Sequence, residues 1–330
     1  ILPIIREQII RWVTPSAVEA TLSLFKSHLK TQVEQFILLE SKWKNIIVKN
    51  NKLKQAVLVN SPGNIKGRAL SSVCSKRKIP LISSQHGVTV EISESHKMLH
   101  FRLDNTMADL MFSYNHKIAD IEKNTYFNKS KHYVVGMPSR LIRMKSAYKS
   151  NQTTPQIIYI STNLYRMGFS LSLKTDYMNA LDEYKIITDI LGKLPYKVCY
   201  KTYPEDNRRY SDKDPILKSI NNIGNIEVFS NKIDMRYLIS KYRIFITTCA
   251  TSTLSWPVMS GKPVIFINQK NNNPLTNEAY ISLSRGLFVF NDDDENFYKN
   301  LKYFLSQPIN EIERLWEDKR YERKKMIREY

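Results

Sequence analysis

Polar side chains suited to acid–base chemistry follow one of the short apolar runs that indicate buried strands. The sequence Ser83-Ser84-Gln85-His86-Gly87 comes directly after the apolar run at residues 80–83. A histidine at a strand end can act as an acid, a base or a phosphate partner, and a glycine lets the backbone approach a ligand closely. Glu91 and Asp104 follow, and a carboxylate near a histidine can serve as a base or a nucleophile. We therefore predict His86, Glu91 and Asp104 as catalytic residues, while a polar strand end with a capping histidine stays an alternative.

Three polar segments in the second half of the sequence also follow apolar runs. They are Ser161-Thr162-Asn163, residues 200–206 and residues 247–254. The last segment leads into a predicted helix, and hydroxyls and N–H groups at a helix N-terminus form a site for phosphate. Lys201 would add a point charge to the same phosphate. An ordinary N-cap at Thr251 to Thr253 is the alternative for that segment taken alone.

Residue spacing argues against a metal site, a nucleotide-binding P-loop and a disulfide framework. His96 and His100 have the spacing of a metal-binding helix face, but position 97 is lysine and no third ligand is evident, so we predict no metal. The 9 glycines form neither a GxxxxGK[ST] loop nor a GxGxxG turn, which argues against P-loop NTPases and ordinary dinucleotide-binding dehydrogenases. The 3 cysteines contain no CxxC pair, which favours a reducing compartment.

The apolar periodicity predicts the elements that position these side chains. Residues 15–48 repeat apolar residues at helical spacing, with proline at a permitted first-turn position. Strands then alternate with helices, which is the pattern of parallel sheets. In the first half the strands are predicted at residues 56–59, 80–83, 110–113 and 132–135, with helices at 67–77 and 116–122. In the second half the strands are predicted at 156–160, 197–200, 226–229, 244–247, 263–267 and 287–290, with helices at 174–191, 235–241, 253–260 and 295–306.

Composition and length indicate the class of protein and the number of domains. The 330 residues, of which 42% are hydrophobic and 25% charged, are typical of a globular chain of about two domains. Residues 139–155 are polar and basic and are predicted to link the domains, and residues 310–330 are predicted to form a charged closing helix.

The excess of 50 basic over 31 acidic residues favours anionic partners. We detect neither a run of about 20 apolar residues nor a signal peptide. Because the first residue is Ile1, we expect the sequence to be part of a longer chain.

A family resemblance emerges from several short motifs that occur in order. Three segments resemble bacterial surface-carbohydrate glycosyltransferases of the two-Rossmann GT-B architecture. They are Gln85-His86-Gly87 after a strand, residues 201–206 (KTYPED), and residues 243–254 (RIFITTCATSTL) running into Gly261-Lys262-Pro263. The resemblance is strongest to proteins related to the retaining β-Kdo transferases, which use CMP-activated Kdo. CMP-sialic-acid polymerases and CDP-glycerol glycerophosphotransferases are more distant relatives of this pattern.

The resemblance implies an α/β GT-B fold with two Rossmann-like domains, mostly parallel sheets and a C-terminal helix that crosses back to the first domain. It places an acceptor-side domain at residues 1–145, a nucleotide-sugar-binding domain at 146–307 and the closing helix at 308–330. Ser252 and Thr253 would hold the phosphate, Lys201 would line the donor cleft with Tyr203 and Pro204, and His86 would face the sugar. The expected donor-binding residues are Gln85, Gly87, Ser161, Asn163, Lys201, Tyr203, Pro204, Thr251, Ser252 and Thr253.

The sequence therefore predicts a glycosyltransferase that moves a sugar from a nucleotide donor to a glycan. The donor implied by the resemblance is a CMP-activated ulosonic acid such as Kdo. The acceptor implied by the resemblance is a bacterial surface polysaccharide or a lipid-linked glycan. We expect no metal cofactor, since protein dipoles and lysine can stabilise the departing CMP. We also expect the bacterial cytoplasm, contact with the anionic inner face of the membrane, and no nucleic acid partner. A CDP-polyol phosphotransferase and a basic nucleic-acid-binding protein remain the alternatives.

Overall fold

A computed structural model describes residues 2–49, 56–60, 62–85, 87–100, 105–124, 128–146, 156–161, 176–202, 215–231 and 233–330. The chain forms two compact units. The first unit comprises Ile1–Gln85, Phe101–Phe112 and Thr125–Tyr133, and the second comprises His86–His100, Ser113–Asn124 and Val134–Tyr330. This division interleaves segments of the first half of the sequence with the second half. The domain boundaries after residues 145 and 307 stay predictions.

The first unit is built on a sheet of 4 strands that neighbour one another in sequence order. The strands are β1 (Val57–Val59), β2 (Leu81–Ser84), β3 (Leu110–Ser113) and β4 (Lys131–Val134). Its helices are α1 (Leu2–Ile10), α2 (Val18–Lys49) and α3 (Ile65–Lys76). Asn64 caps α3 by accepting a 2.9 Å hydrogen bond from the Gly67 N–H, and Leu70, Val73 and Cys74 of α3 pack against Leu81 of β2. The predicted strand–helix–strand pattern of this region is confirmed.

The second unit contains a parallel sheet of 6 strands in the order β10-β9-β8-β5-β6-β7. The strands are β5 (Ile157–Ile160), β6 (Val198–Lys201), β7 (Ile226–Phe229), β8 (Ile244–Thr247), β9 (Val264–Asn268) and β10 (Phe288–Asn291). Read from β7, this is the doubly wound Rossmann order 3-2-1-4-5-6, in which the direction of strand addition reverses between β5 and β8 while all strands stay parallel. Every residue of β5, β6, β8 and β9 is buried, as expected for parallel strands covered on both faces.

The helices of the second unit are α4 (Glu94–His100), α5 (His116–Lys123), α6 (Ser139–Ile142), α7 (Asp176–Lys185), α8 (Pro215–Ile220), α9 (Ser252–Ser260), α10 (Asn277–Gly286), α11 (Phe297–Leu305), α12 (Ile309–Asp318) and α13 (Arg320–Glu329). Helices α1, α4, α8 and α10 were not predicted from the sequence. No helix in the described part of the chain is long and apolar enough to cross a membrane.

Three predicted segments differ from the structure. Residues 235–241 form two 3₁₀ turns, Met235–Tyr237 and Ile239–Lys241, rather than one helix. The part of the predicted linker that is described, residues 139–146, forms α6 and a 3₁₀ turn, because Leu141 and Met144 are buried in the core of the second unit. The predicted closing helix is two helices that meet at Lys319.

The closing helices pack through apolar residues. Trp316 is 1% exposed, and Met326 is also buried. The end of α13 contacts the start of α5: the Asn115 amide donates to the Tyr330 carbonyl at 2.6 Å, and Lys117 Nζ lies 3.0 Å from the Tyr330 hydroxyl. Asn115 and Lys117 lie in the predicted first domain, residues 1–145, but belong to the second compact unit, so this contact is internal to that unit. The crossing of the closing helix to the first domain stays a prediction.

Candidate functional site

The reversal between β5 and β8 creates the edge at which a ligand site is expected. In doubly wound sheets, ligands bind in the crevice beyond the carboxyl ends of the strands at this point. Ile160 is in register with Thr247, so Ser161 and Thr248, the residues that follow them, lie at neighbouring strand ends. Both residues belong to segments that were singled out from the sequence as polar strand ends.

Ser161 supports this edge through contacts within the protein. Its backbone N–H donates to the Lys201 carbonyl at 3.0 Å, which joins the ends of β5 and β6. The Tyr200 hydroxyl lies 2.8 Å from a Glu183 carboxylate oxygen and 3.1 Å from Ser161 Oγ. The Tyr200 hydroxyl has one proton, which it donates to the Glu183 carboxylate, since a carboxylate can only accept. The Ser161 hydroxyl therefore donates to the Tyr200 oxygen. Ser161 thus fixes the geometry of the strand ends.

Lys201 brings a buried positive charge to the same edge. Its side chain is 3% exposed, and Nζ donates to the Thr202 carbonyl at 3.2 Å. Removal from water lowers the pKa of the Lys201 ammonium, and the Asp234 carboxylate acts in the opposite direction. An anion at this edge would relieve the cost of burying that charge.

The segment after β8 forms a capped helix N-terminus. Thr251 has an extended backbone, and its Oγ1 accepts a 3.4 Å hydrogen bond from the Thr253 N–H, so Thr251 is the N-cap of α9. The Thr251 N–H donates to the Cys249 carbonyl at 2.9 Å. The amino end of α9 lies just beyond the β8 strand end, where the helix dipole favours negative charge. The Ser252 side chain lies outside the described residues.

Glu91 lies in a buried turn that is attached to the second unit. Its carboxyl group is 1% exposed, and Oε2 accepts a 3.0 Å hydrogen bond from the Thr89 N–H. The next residues pair with the loop that follows β9: the Thr276 N–H donates to the Ile92 carbonyl at 3.0 Å. Because β9 neighbours β8, this pairing places the Glu91 segment near the edge that carries the helix N-terminus.

Tyr114 and Arg140 are neighbours of Glu91 that sequence reasoning missed. Burial raises the pKa of the Tyr114 hydroxyl, while its hydrogen bond with Arg140 lowers it and the Glu91 charge raises it. The Arg140 guanidinium lies 5.8 Å from the centre of the Trp256 ring on α9. The signal that could have found Arg140 is its place just after Gly136-Met137-Pro138, which follows β4.

The remaining predicted site residues fall into two groups. Gln85 is buried at the end of β2, where its N–H donates to the Phe112 carbonyl at 2.9 Å, and Gly87 is buried in the turn before Glu91. The predicted residues that lie outside the described ranges are His86, Asp104, Asn163, Tyr203 and Pro204.

The described residues contain no group of three His, Cys, Asp or Glu side chains that could hold a metal ion. His96 Nδ1 instead lies 3.0 Å from Ser93 Oγ.

No protein-family model matches the sequence, and neither does any curated protein. Solved structures are similar in fold. UDP-GlcNAc 2-epimerase from Neisseria meningitidis bound to UDP-GlcNAc has a TM-score of 0.55 at 14% identity, over 86% of this chain and 76% of that chain. A putative UDP-N-acetylglucosamine 2-epimerase from Listeria monocytogenes has a TM-score of 0.54 at 13% identity, over 86% and 74%. S. aureus MnaA with UDP has a TM-score of 0.52 at 14% identity, over 85% and 72%.

The chain has a GT-B fold. The α/β fold class predicted from the sequence is therefore confirmed. At this level of identity the similarity carries the architecture and not the reaction.

Proposed function

We propose that this chain binds a nucleotide-activated sugar at the β5–β8 edge and transfers the sugar to an acceptor. The observation that carries the proposal is the strand order, which places the amino end of α9 and the buried Lys201 charge at the same edge of one sheet. Two groups that favour an anion thus converge where doubly wound sheets bind ligands. The N. meningitidis and S. aureus structures hold UDP-GlcNAc and UDP respectively, which supports a nucleotide at this fold.

The chemistry follows from the charges. As the bond from the sugar to the phosphate breaks, negative charge grows on the leaving nucleotide, and the helix dipole of α9 and the Lys201 ammonium stabilise it. The attacking acceptor hydroxyl loses its proton to a base as the new glycosidic bond forms. Glu91 is our candidate for that base or for a nucleophile. In this proposal no metal is needed, so added EDTA leaves turnover unchanged.

The donor that we propose is a CMP-activated ulosonic acid such as Kdo, and the acceptor a bacterial surface polysaccharide or lipid-linked glycan. Support comes from the motifs at residues 201–206 and 243–254 and from the net charge of +19, which suits an acidic glycan. A UDP-sugar is the competing donor, because structures of similar fold hold UDP. A CDP-polyol phosphotransferase would use the same edge with a different acceptor step.

Ligand stabilisation tests the proposal. Thermal unfolding is measured with CMP, CDP, UDP and GDP, since a ligand at 100 times its Kd stabilises the folded chain by about 2.7 kcal/mol. Turnover is then measured with CMP-Kdo, CDP-glycerol and UDP-GlcNAc. Release of CMP from CMP-Kdo supports the proposed donor, and a changed sugar configuration in UDP-GlcNAc without transfer supports epimerisation instead. If none of the four nucleotides raises the unfolding temperature, the proposal is wrong.

The amino end of α9 provides a prediction about affinity. The double variant Ser252→Ala with Thr253→Ala is expected to weaken nucleotide binding by about 1–3 kcal/mol, because charge-assisted hydrogen bonds to phosphate are lost. Isothermal titration calorimetry measures the change. Ser260→Ala at the carboxyl end of the same helix is the matched control, and we expect it to bind like the parent. Unchanged affinity in the double variant would contradict the phosphate assignment.

Lys201 provides a prediction about pH. Lys201→Met is expected to weaken nucleotide binding by about 1.5–3 kcal/mol, the range for hydrogen bonds to charged groups. In the parent protein, nucleotide binding requires the charged ammonium of Lys201. Because burial lowers the pKa of Lys201, nucleotide affinity is expected to fall at a lower pH than the value of about 10.4 at which an ordinary lysine loses its proton. That alkaline loss disappears in Lys201→Met. The exposed Lys197 at the other end of β6 is the control, and Lys197→Met should keep both the affinity and its pH profile.

A further inference from the structure

A side-chain bridge joins the Glu91 segment to the loop that precedes α9. The Ser93 hydroxyl donates to Asn273 Oδ1 at 2.6 Å, and Asn273 Nδ2 donates to Cys249 Sγ at 3.4 Å. Cys249 lies between the end of β8 and the N-cap Thr251, with which it also hydrogen-bonds. We call the group Ser93, Asn273 and Cys249 the Asn273 bridge. It connects three segments that are far apart in sequence.

The chemistry of the bridge requires an amide at its centre. Ser93 is completely buried and donates its proton, and the cysteine sulfur accepts one, so the middle group must both accept and donate. Loss of water around Cys249 raises the pKa of its thiol to about 11, while its hydrogen bonds with Asn273 and Thr251 lower it. The sulfur is therefore neutral near pH 7, and the bridge carries no charge.

Backbone pairing fixes one side of the bridge and leaves the other side to Asn273. Ser93 forms an antiparallel bridge with Leu275, and the Glu94 N–H donates to the Pro274 carbonyl at 3.1 Å. These bonds hold the Glu91 segment to the loop after β9. The contact from that loop to Cys249, and through it to the N-cap of α9, is made by the Asn273 side chain.

We propose that Asn273 is a positioning residue that couples the Glu91 segment to the phosphate-binding loop before α9. This inference rests on the proposed function for its purpose, because it holds a catalytic carboxylate in place relative to the nucleotide phosphate. Asn273 acts through Ser93 on one side and Cys249 on the other.

Amide hydrogen exchange on the full chain tests the coupling without any ligand. Ser93→Ala is expected to speed exchange in residues 247–253 by about fivefold, the change that corresponds to one net hydrogen bond of about 1 kcal/mol. Among the described hydrogen bonds, the path from Ser93 to this loop runs through Asn273, so Asn273→Ala is expected to give the same acceleration and the double variant to add nothing further. Asn272→Ala is the matched control, since the neighbouring amide bonds Gln269 Oε1 at 3.1 Å instead. It should leave exchange in residues 247–253 unchanged.

A second measurement addresses the purpose of the bridge. With CMP or UDP at saturation, exchange in residues 91–97 of the parent is expected to slow, and in Asn273→Ala it is expected not to slow although the nucleotide is bound. Parent protein that binds no nucleotide would sink the proposed function, while the variant cycle without ligand would still decide the coupling. Additive effects of Ser93→Ala and Asn273→Ala, or an equal effect of Asn272→Ala, would overturn the proposal.

Discussion

Replacing Glu91 with glutamine is expected to lower kcat by about 10²- to 10⁴-fold, the range for loss of a general acid or base, with nucleotide affinity nearly unchanged. Glu91 lies in the segment paired with the loop after β9, and it is the acid assigned by sequence reasoning to the chemical step that falls within the described residues. The pattern of reduced kcat with intact binding marks a group that acts in the transition state. Steady-state kinetics with the correct donor, together with nucleotide titration, measures both quantities.

The buried position of Glu91 makes a structural role the competing explanation. Glutamine keeps the volume of the side chain and an oxygen that can accept from the Thr89 N–H, so the turn should remain folded. Glu94→Gln is the control within the same segment, because Glu94 is half-buried at the start of α4 and has no assigned chemical role. Equal losses of activity in the two variants, or a fall in the free energy of unfolding that accounts for the loss in Glu91→Gln, would argue against catalysis by Glu91.

Most of the strands could be predicted from the sequence. The predicted strands at residues 110–113 and 226–229 coincide with β3 and β7, which are only partly buried, and the one at 244–247 coincides with β8. The signal is clearest for β5, β6, β8 and β9, in which every residue is buried. Such strands form short continuous apolar runs between turn residues, a signal that survives without any knowledge of neighbouring segments. The positions of polar residues after each strand follow directly, which is why the Thr251 helix cap and Lys201 were found.

The helices were predicted less completely, for local reasons. The missed α10 has a clear signal, since the Thr276 hydroxyl caps it by accepting from the Ala279 N–H at 3.2 Å and Leu283 continues the buried stripe. The predicted helix at residues 235–241 instead tightens into 3₁₀ turns. Its buried residues, such as Met235, Leu238 and Ile239, reach the core with roughly three-residue spacing, and Asp234 caps the first turn by accepting from the Arg236 N–H.

Apart from the place of Arg140 after β4, the surroundings of Glu91 had no local signal in the sequence. Ser93 pairs with Leu275, and Arg140 bonds Tyr114 and faces Trp256, across separations that no periodic pattern encodes. Asn273 is one of three consecutive asparagines, and only the fold distinguishes it from Asn272. Long-range contacts of this kind follow from topology, so the sequence predicts candidates at strand ends but not the side chains that hold them together.

Trp316→Ala is expected to lower the free energy of unfolding of the second unit by about 3–5 kcal/mol, the usual cost of truncating a buried aromatic side chain. Trp316 is 1% exposed, and the centre of its ring lies 5.8 Å from the centre of the Phe288 ring. The Arg323 guanidinium lies 3.8 Å from the centre of the Trp316 ring. Its indole N–H donates to the Gly261 carbonyl at 2.6 Å. Urea unfolding of the second unit measures the change. We expect the urea concentration at the unfolding midpoint to fall while the dependence of the free energy of unfolding on urea concentration stays the same.

Two variants separate the contributions of Trp316. Tyr321→Ala removes an aromatic side chain that is 78% exposed on α13, and its effect should stay within about 0.5 kcal/mol. Trp316→Phe keeps most of the packing and loses the bond to Gly261, the residue that ends α9 with a φ of 76°. Trp316 thus holds the carboxyl end of the helix whose amino end faces the proposed phosphate site. We therefore expect Trp316→Phe to lose about 1 kcal/mol of stability while nucleotide affinity is retained, because the phosphate contacts lie at the opposite end of α9. A Trp316→Ala variant as stable as Tyr321→Ala would show that the closing helices do not anchor α9.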